Sequence, residues 1–289
     1  MSTPHNSKKS SAAPAVLPVR RNLKFRLPAD RIVDWHEAGG PHIGLFMNTL
    51  SLFFPVGERF FMDSVRHYRD RITDPELKQA VTAFIGQEAM HGREHQEYNE
   101  ALFAAIPQTV GMERTVARFL GFLQRHLAPS LQLSTTIALE HFTAILADAL
   151  LSKPSVLEGT EPHYAALWRW HALEETEHKS VAFDVWETVM GRGPRAYVVR
   201  TGTLVFATII FWSFATPYYL RVLRSQRRLT NLSGWRSFIR YGFTRERTLI
   251  GLVGPWADYF RPRFHPWDHD NRQYLEGMDR FTAPYQAAA

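Results

Sequence analysis

The chain has 289 residues, 45% of them hydrophobic, enough for one large domain or a domain with an appendage. It carries a formal net charge of +6 and no cysteine, which excludes disulfides, thiolate zinc sites, cysteine-ligated iron–sulfur clusters and a cysteine nucleophile. Any metal must then be held by histidine and carboxylate, a donor set suited to iron or manganese and also accepting zinc.

Residues 1–22 are rich in serine, alanine, proline and basic side chains, without an apolar stretch of signal-peptide length. They read as a disordered basic arm on a cytoplasmic protein. Residues 23–190 read as one helical domain. Its first stripe is Phe54, Glu58, Phe61, Val65, Tyr68 and Ile72, spaced by fours and threes so that all share one helix face. Thr73-Asp74-Pro75-Glu76 is a helix start, with a capping residue, an early proline and an early acid. Leu77, Val81, Phe84, Glu88, His91, His95, Tyr98 and Leu102 then line one face as far as about Ala104. A third stripe runs through Leu133, Thr136, Glu140, Thr143, Ala147 and Leu151. The fourth helix is expected over 161–190, with Tyr164, Trp168, His171, Glu175, His178, Ala182, Val185 and Val189 on its inner face. Glu174 and Glu177 are expected on solvent or a neighbouring helix, and His67 and His141, off the stripes, as ordinary polar residues.

Residues 191–230 contain an uncharged run, Thr201–Leu220, preceded by Arg192, Arg195 and Arg200 and followed by Arg221, Arg224, Arg227 and Arg228. The run is long enough to span a bilayer. It also suits a helix embedded at an anionic surface such as the inner membrane, or a buried helix capping the domain. The arginines bracket apolar sequence instead of forming a polar face, which argues against nucleic acid. Residues 231–289 read as a C-terminal strap. His265, Asp268, His269 and Asp270 offer metal donors there, but two nearby prolines favour an extended packing segment.

The ionisable residues on the inner stripes come in the order Glu58, Glu88-x-x-His91, Glu140, Glu175-x-x-His178. Four carboxylates buried together without a partner would cost several kcal/mol each, and no lysine or arginine on the stripes offsets them. Two divalent cations would. Within E-x-x-H the three-residue step aims both side chains into the same layer.

This Glu plus E-x-x-H duplication resembles the ferritin-like carboxylate proteins, over roughly residues 45–190. More closely, the strings at 54–61, 87–95, 138–144 and 170–179 (FPVGERFF, QEAMHGREH, ALEHFTA, WHALEETEHK) resemble the bacterial family called "predicted metal-dependent hydrolase". The resemblance implies an all-α, ferritin-like four-helix bundle, with 105–130 as its one long crossover connection and an additional hydrophobic C-terminal helical region. It implies Glu88 and Glu175 as bridging ligands, with Glu58, Glu140, His91 and His178 terminal; the spacing itself leaves bridging and terminal roles open. His171, one turn before Glu175, is similar to the added ligand of the three-histidine di-iron arylamine N-oxygenases. His171 and His95 are thus each a further ligand or a group that orients one.

The expected cofactor is two iron ions. The leading expectation is a di-iron oxidase or oxygenase, drawing on dioxygen and an electron donor, that acts on a small hydrophobic substrate (acyl, lipid or amine). Phe54, Phe61, Phe84, Tyr98 and Trp168 are candidate lining residues or simple core. The alternatives are two-metal hydrolysis of esters or phosphates, and metal storage or sensing.

Overall fold

The computed structural model describes residues 16–36 and 40–287. Among them it is all-α, and the one β feature is an isolated antiparallel bridge between Leu23 and Gln286. The helices most relevant to the site are α1 (Pro41–Ser51), α2 (Phe54–Arg66), α3 (Pro75–Ala105), α4 (Thr109–His126), α5 (Pro129–Leu151), α6 (Pro162–His178), α7 (Val181–Met190) and α8 (Pro194–Ser225). Short helices α9 (Leu232–Ile239), α10 (Val253–Asp258) and α11 (Met278–Thr282) follow. Proline stands at the first or second position of α1, α2, α3, α5, α6 and α8, where its missing N–H has no intrahelical partner to lose. The Asp74 carboxylate caps α3 by accepting from the Glu76 N–H, and Glu161 caps α6 by accepting from His163 and Tyr164.

Helices α2, α3, α5 and α6 close a ring in which α2 packs on α3 and α5, and α6 packs on α5 and α3. The apolar core lies in two clusters, one at each end of this ring. Along α3, Leu77, Val81 and Phe84 belong to one cluster and Tyr98 and Leu102 to the other. The chain crosses in the opposite sense at α6 and α7, from Leu167 and Trp168 to Val181 and Val185. Every neighbouring pair in the ring is therefore antiparallel, and α3 and α5 point the same way. The link between α3 and α5 must then return the length of the ring. The expected connection at 105–130 does this as α4, whose 18 residues span about 27 Å.

Two other expectations need correction. The single helix expected over 161–190 is interrupted at Lys179–Ser180. Lys179 there is 4% exposed, its ammonium donating to the His269 carbonyl at 2.6 Å and to Asn271 Oδ1 at 2.7 Å, so the C-terminal segment is tied to the break. Residues 16–22, expected in the disordered arm, lie against the domain. Val19 N–H donates to Glu177, Arg21 is buried, and Lys24 N–H donates to the Tyr285 carbonyl. Residues 1–15 of that arm fall outside the described residues.

Helix α8 packs on α1 and α5. Arg200, buried within it, donates to the Tyr259 and Arg261 carbonyls at 2.6 and 3.0 Å. Among the described residues α8 is the one helix long and apolar enough to cross a membrane, with 28% of its apolar window buried.

Candidate metal centre

Between the two apolar clusters lies a polar layer. It holds Glu58 from α2, Glu88, His91 and His95 from α3, Glu140 from α5, and His171, Glu175 and His178 from α6, none more than 4% exposed. All eight sequence-derived candidates are thus brought together. They divide into two groups. The donor atoms of Glu58, His91 and His171 lie within 4.8 Å of one another, and so do those of Glu88, Glu175 and His178. Glu140 Oε2 is 3.6 Å from His178 Nε2 and so stands by the second group.

Glu175 reaches both. Its Oε1 is 3.1 Å from His171 Nε2 and 3.7 Å from His91 Nδ1, while Oε2 is 3.5 Å from His178 Nε2. That is the placement of a carboxylate shared between two cations. Glu88, which the resemblance also makes a bridge, is seen against the second group, with Oε1 3.2 Å from His178 Nε2.

These atoms fit cations better than they fit one another. Both carboxylate oxygens of Glu58, Glu88 and Glu140, both ring nitrogens of His91, Nε2 of His171 and His178, and Oε2 of Glu175 are buried without a hydrogen bond. The approaches of 3.1–3.7 Å among them lack hydrogen-bond geometry. So many buried polar atoms without partners, converging on one layer, fit a site built to take up cations. Burial, reinforced by the neighbouring carboxylates, pushes Glu58, Glu88 and Glu140 well above the usual carboxylate range. Burial also works on Glu175, but His178 and His171 together outweigh it and hold that carboxyl low. His91 is kept neutral by burial, then by the adjacent His171, as a ligand must be.

Hydrogen bonds around the layer fix which ring nitrogen faces inward. Asn99 Nδ2 donates to the Ser51 carbonyl at 3.0 Å and to Glu113 Oε2 at 2.9 Å, which leaves Oδ1 as the acceptor from Ser51 Oγ–H at 2.7 Å. With its proton so used, Ser51 Oγ accepts from His95 Nδ1–H at 2.8 Å. His95 Nε2 then accepts from His171 Nδ1–H at 2.8 Å, leaving the lone pair of His171 Nε2 directed into the layer. His95 spends both nitrogens in this chain, so it positions His171 and is not placed to bind an ion itself.

The other histidines are oriented in a paired way. Gln87 donates its amide to the Val19 carbonyl and to Glu177, so its Oε1 accepts from His178 Nδ1–H at 3.0 Å. Glu174 Oε2 stands 3.2 Å from His91 Nε2. Gln87 and Glu174 are the residues immediately before Glu88 and Glu175, and each reaches the histidine of the other motif. Arg21 lies behind both, 2.9 Å from Glu177 and 3.4 Å from Glu174. Of the two placements expected for Glu174 and Glu177, solvent or a neighbouring helix, the second holds: both are buried and meet α3, at His91 and Gln87. Burial lifts the Glu174 carboxyl to about 8. The in-register Gln-Glu and Glu-Glu pairs were the available signal for Gln87 and Glu174. Nothing local in the sequence marks Arg21, Ser51 or Asn99.

Outside this layer His67 is exposed and His141 donates to the Pro255 carbonyl at 3.1 Å. The C-terminal donors do not gather. His265 meets Asp184, His269 meets Asp258, Asp268 meets Arg261 and Asp270 meets Arg272.

A cavity of about 320 Å³ lies among α2, α4, α5 and α8. Glu58 is the one charged residue in its lining, the remainder being mostly Phe, Leu, Val and Ile, with Phe54 and Phe61 beside Glu58. Phe84, Tyr98 and Trp168 pack on the histidines as core, not as lining. Leu131, Gly202 and Phe206 line the cavity and are also exposed, which marks its mouth.

A family model described as "Predicted metal-dependent hydrolase" matches residues 19–270. The chain belongs to this family. The match extends beyond the four-helix ring to take in α8 and the segment tied to Lys179. Its description agrees with the hydrolase alternative raised from the sequence, not with the oxidase. No curated protein and no solved structure matches the chain.

Proposed function

We propose that the protein is a ferritin-like, two-metal enzyme acting on a substrate with a long apolar portion, and that it hydrolyses an ester or phosphate ester of that substrate. The observation that carries the substrate class is the apolar cavity ending at Glu58. Its volume falls in the range of small-molecule sites, about 300–1,000 Å³. The family description supports hydrolysis. The ferritin-like assignment rests on the antiparallel ring, the return connection through α4 and the order of Glu and E-x-x-H motifs.

Glu58, His91 and His171 would hold one cation, Glu88, Glu140 and His178 the other, and Glu175 both. Four carboxylates balance two divalent charges with the histidines neutral. Bound cations would supply Lewis acidity, and iron would add redox chemistry toward dioxygen. The chain's own residues do the rest. His95 and Gln87 keep His171 and His178 in the ligating tautomer. The aromatic rings of Phe54 and Phe61 shield the Glu58 side of the layer from water. Glu58 stands where the cavity meets the layer, so an apolar chain threaded past Phe61 presents its polar end there.

The second reading is dioxygen-dependent oxidation of the apolar chain. It is favoured by the cavity lining, in which Thr135, Thr143 and Thr203 are the hydroxyl groups, and those of Thr135 and Thr143 already donate to the Leu131 and Glu140 carbonyls instead of meeting a leaving group. One experiment separates the two. The protein is loaded anaerobically with iron, manganese or zinc, and the turnover of acyl esters of graded length is measured before dioxygen is admitted. Ester turnover without dioxygen, rising with chain length, supports hydrolysis. Dioxygen uptake by the iron-loaded protein with no anaerobic turnover supports oxidation. Absence of stoichiometric metal would refute both.

A further inference from the structure

The outer face of α8 is apolar and unpartnered. Val198, Gly202, Val205, Phe206 and Ile209 lie on one stripe and are exposed, Val198 by 65%, Phe206 by 57% and Ile209 by 61%. The opposite face, with Leu204, Ala207, Ala215, Tyr218 and Val222, is buried on the domain. A helix held along its length in this way lies on the protein instead of crossing a bilayer alone. Its outward stripe is a patch of the kind that marks an interaction surface.

Two features say what covers the patch. The first is charge. Arg195 precedes the stripe, and Arg221, Arg224, Arg227 and Arg228 follow it, all exposed. No acidic residue occurs between Gly193 and Arg245. At the C-terminal end of α8 a groove of about 580 Å³ is lined by Arg221 and Arg224 together with Gln108, Thr115 and Tyr218. Among the described residues neither arginine pairs with an acid. Basic side chains at both ends of an apolar stripe complement an anionic headgroup layer above acyl chains. The second feature is the cavity mouth. Gly202 and Phe206 belong both to the exposed stripe and to the lining that leads to Glu58.

We propose that the outer face of α8 docks on an anionic lipid bilayer, with its arginines at the headgroups and the mouth at Gly202 and Phe206 open to the acyl layer. The enzyme then draws its apolar substrate sideways out of the membrane, without passing it through water. The entry route rests on the substrate class proposed above; the docking does not.

The test is co-sedimentation of the full-length protein with vesicles of phosphatidylcholine alone, or of phosphatidylcholine with phosphatidylglycerol. It is run with the wild type, Phe206→Asp/Ile209→Asp and Arg221→Glu/Arg224→Glu. All four positions are exposed, and circular dichroism and thermal melting check that each variant folds. The wild type is expected to pellet with anionic vesicles and much less with neutral ones. The arginine pair should weaken binding roughly 30-fold or more, and the apolar pair should weaken it comparably. A wild type that stays in the supernatant at low salt would overturn the proposal, as would variants that bind equally well. A wild-type dimer that Phe206→Asp/Ile209→Asp splits would assign the face to a second copy of the chain and also overturn it. Vesicle binding requires no turnover. A chain that binds vesicles but no metal would therefore refute the enzymatic reading and leave docking standing.

Discussion

Loading the centre with metal should expel protons. In the metal-free chain burial, then mutual repulsion, raises Glu58, Glu88 and Glu140 well above the ordinary value of 4.5, while Glu175 lies below it. A carboxylate must ionise to bind a cation, and His91 is already neutral. Over the pH range in which all three hold their protons without metal, about three protons therefore leave each chain as the two cations enter. By linkage the apparent affinity climbs about a thousandfold per pH unit, about 4 kcal/mol, while all three groups stay protonated without metal. The same shifts set the sign for folding. Above pH 4.5 the unfolded chain has released protons that the folded metal-free chain still holds, so these groups withdraw stability as pH rises toward their folded values. Buried His91 and His95, with lowered values, act in the opposite sense below 6.5. The assay is anaerobic titration calorimetry of ferrous or manganous ion in buffers of different ionisation enthalpy. The slope of heat against buffer enthalpy counts the protons, and Glu58→Gln should lower the count by about one. A slope of zero would show that the carboxylates are ionised without metal, which would refute the account of the layer.

Other outcomes follow from the same geometry. Glu88→Ala combined with Glu175→Ala should abolish stoichiometric binding of two metals while leaving the helical circular dichroism in place. His95→Ala should weaken metal affinity about 10–100-fold without changing stoichiometry, and His95→Gln should restore part of it; loss of one metal per chain would make His95 a ligand after all. Gly202 sits inside α8 with no heavy atom within 4 Å of an added Cβ. Gly202→Leu should therefore raise stability by about 1 kcal/mol, measurable by thermal melting, while narrowing the cavity mouth and slowing turnover of long-chain substrates. Arg21→Ala strands Glu174 and Glu177 in the interior. It should cost about 3–5 kcal/mol in urea unfolding, and a change below 1 kcal/mol would show that the pair is not buried in solution.

The buried Glu/His layer was legible in the sequence because helical geometry converts spacing into position. Glu58, Glu88, His91, Glu140, His171, Glu175 and His178 each fall on an apolar stripe of period 3.6, and burying the stripes carries the ionisable residues inward with them. The uncharged run of α8 and the Pro75 and Pro162 helix starts were legible for similarly local reasons. What only the tertiary structure decided depends on residues distant in the chain. His95 lies on the same stripe as the candidate ligands and is distinguished from them by Ser51, 44 residues away, which takes its second nitrogen. Helix position leaves Glu174 and Glu177 on solvent or on a neighbouring helix, and the contacts with α3 and with Arg21, about 150 residues earlier, decide for burial. The break at Lys179 is tied down by Asn271, and the cavity exists only where four helices meet around Glu58. Periodicity reports which face of a helix turns inward; it carries no information about which side chain from elsewhere in the chain will be waiting there.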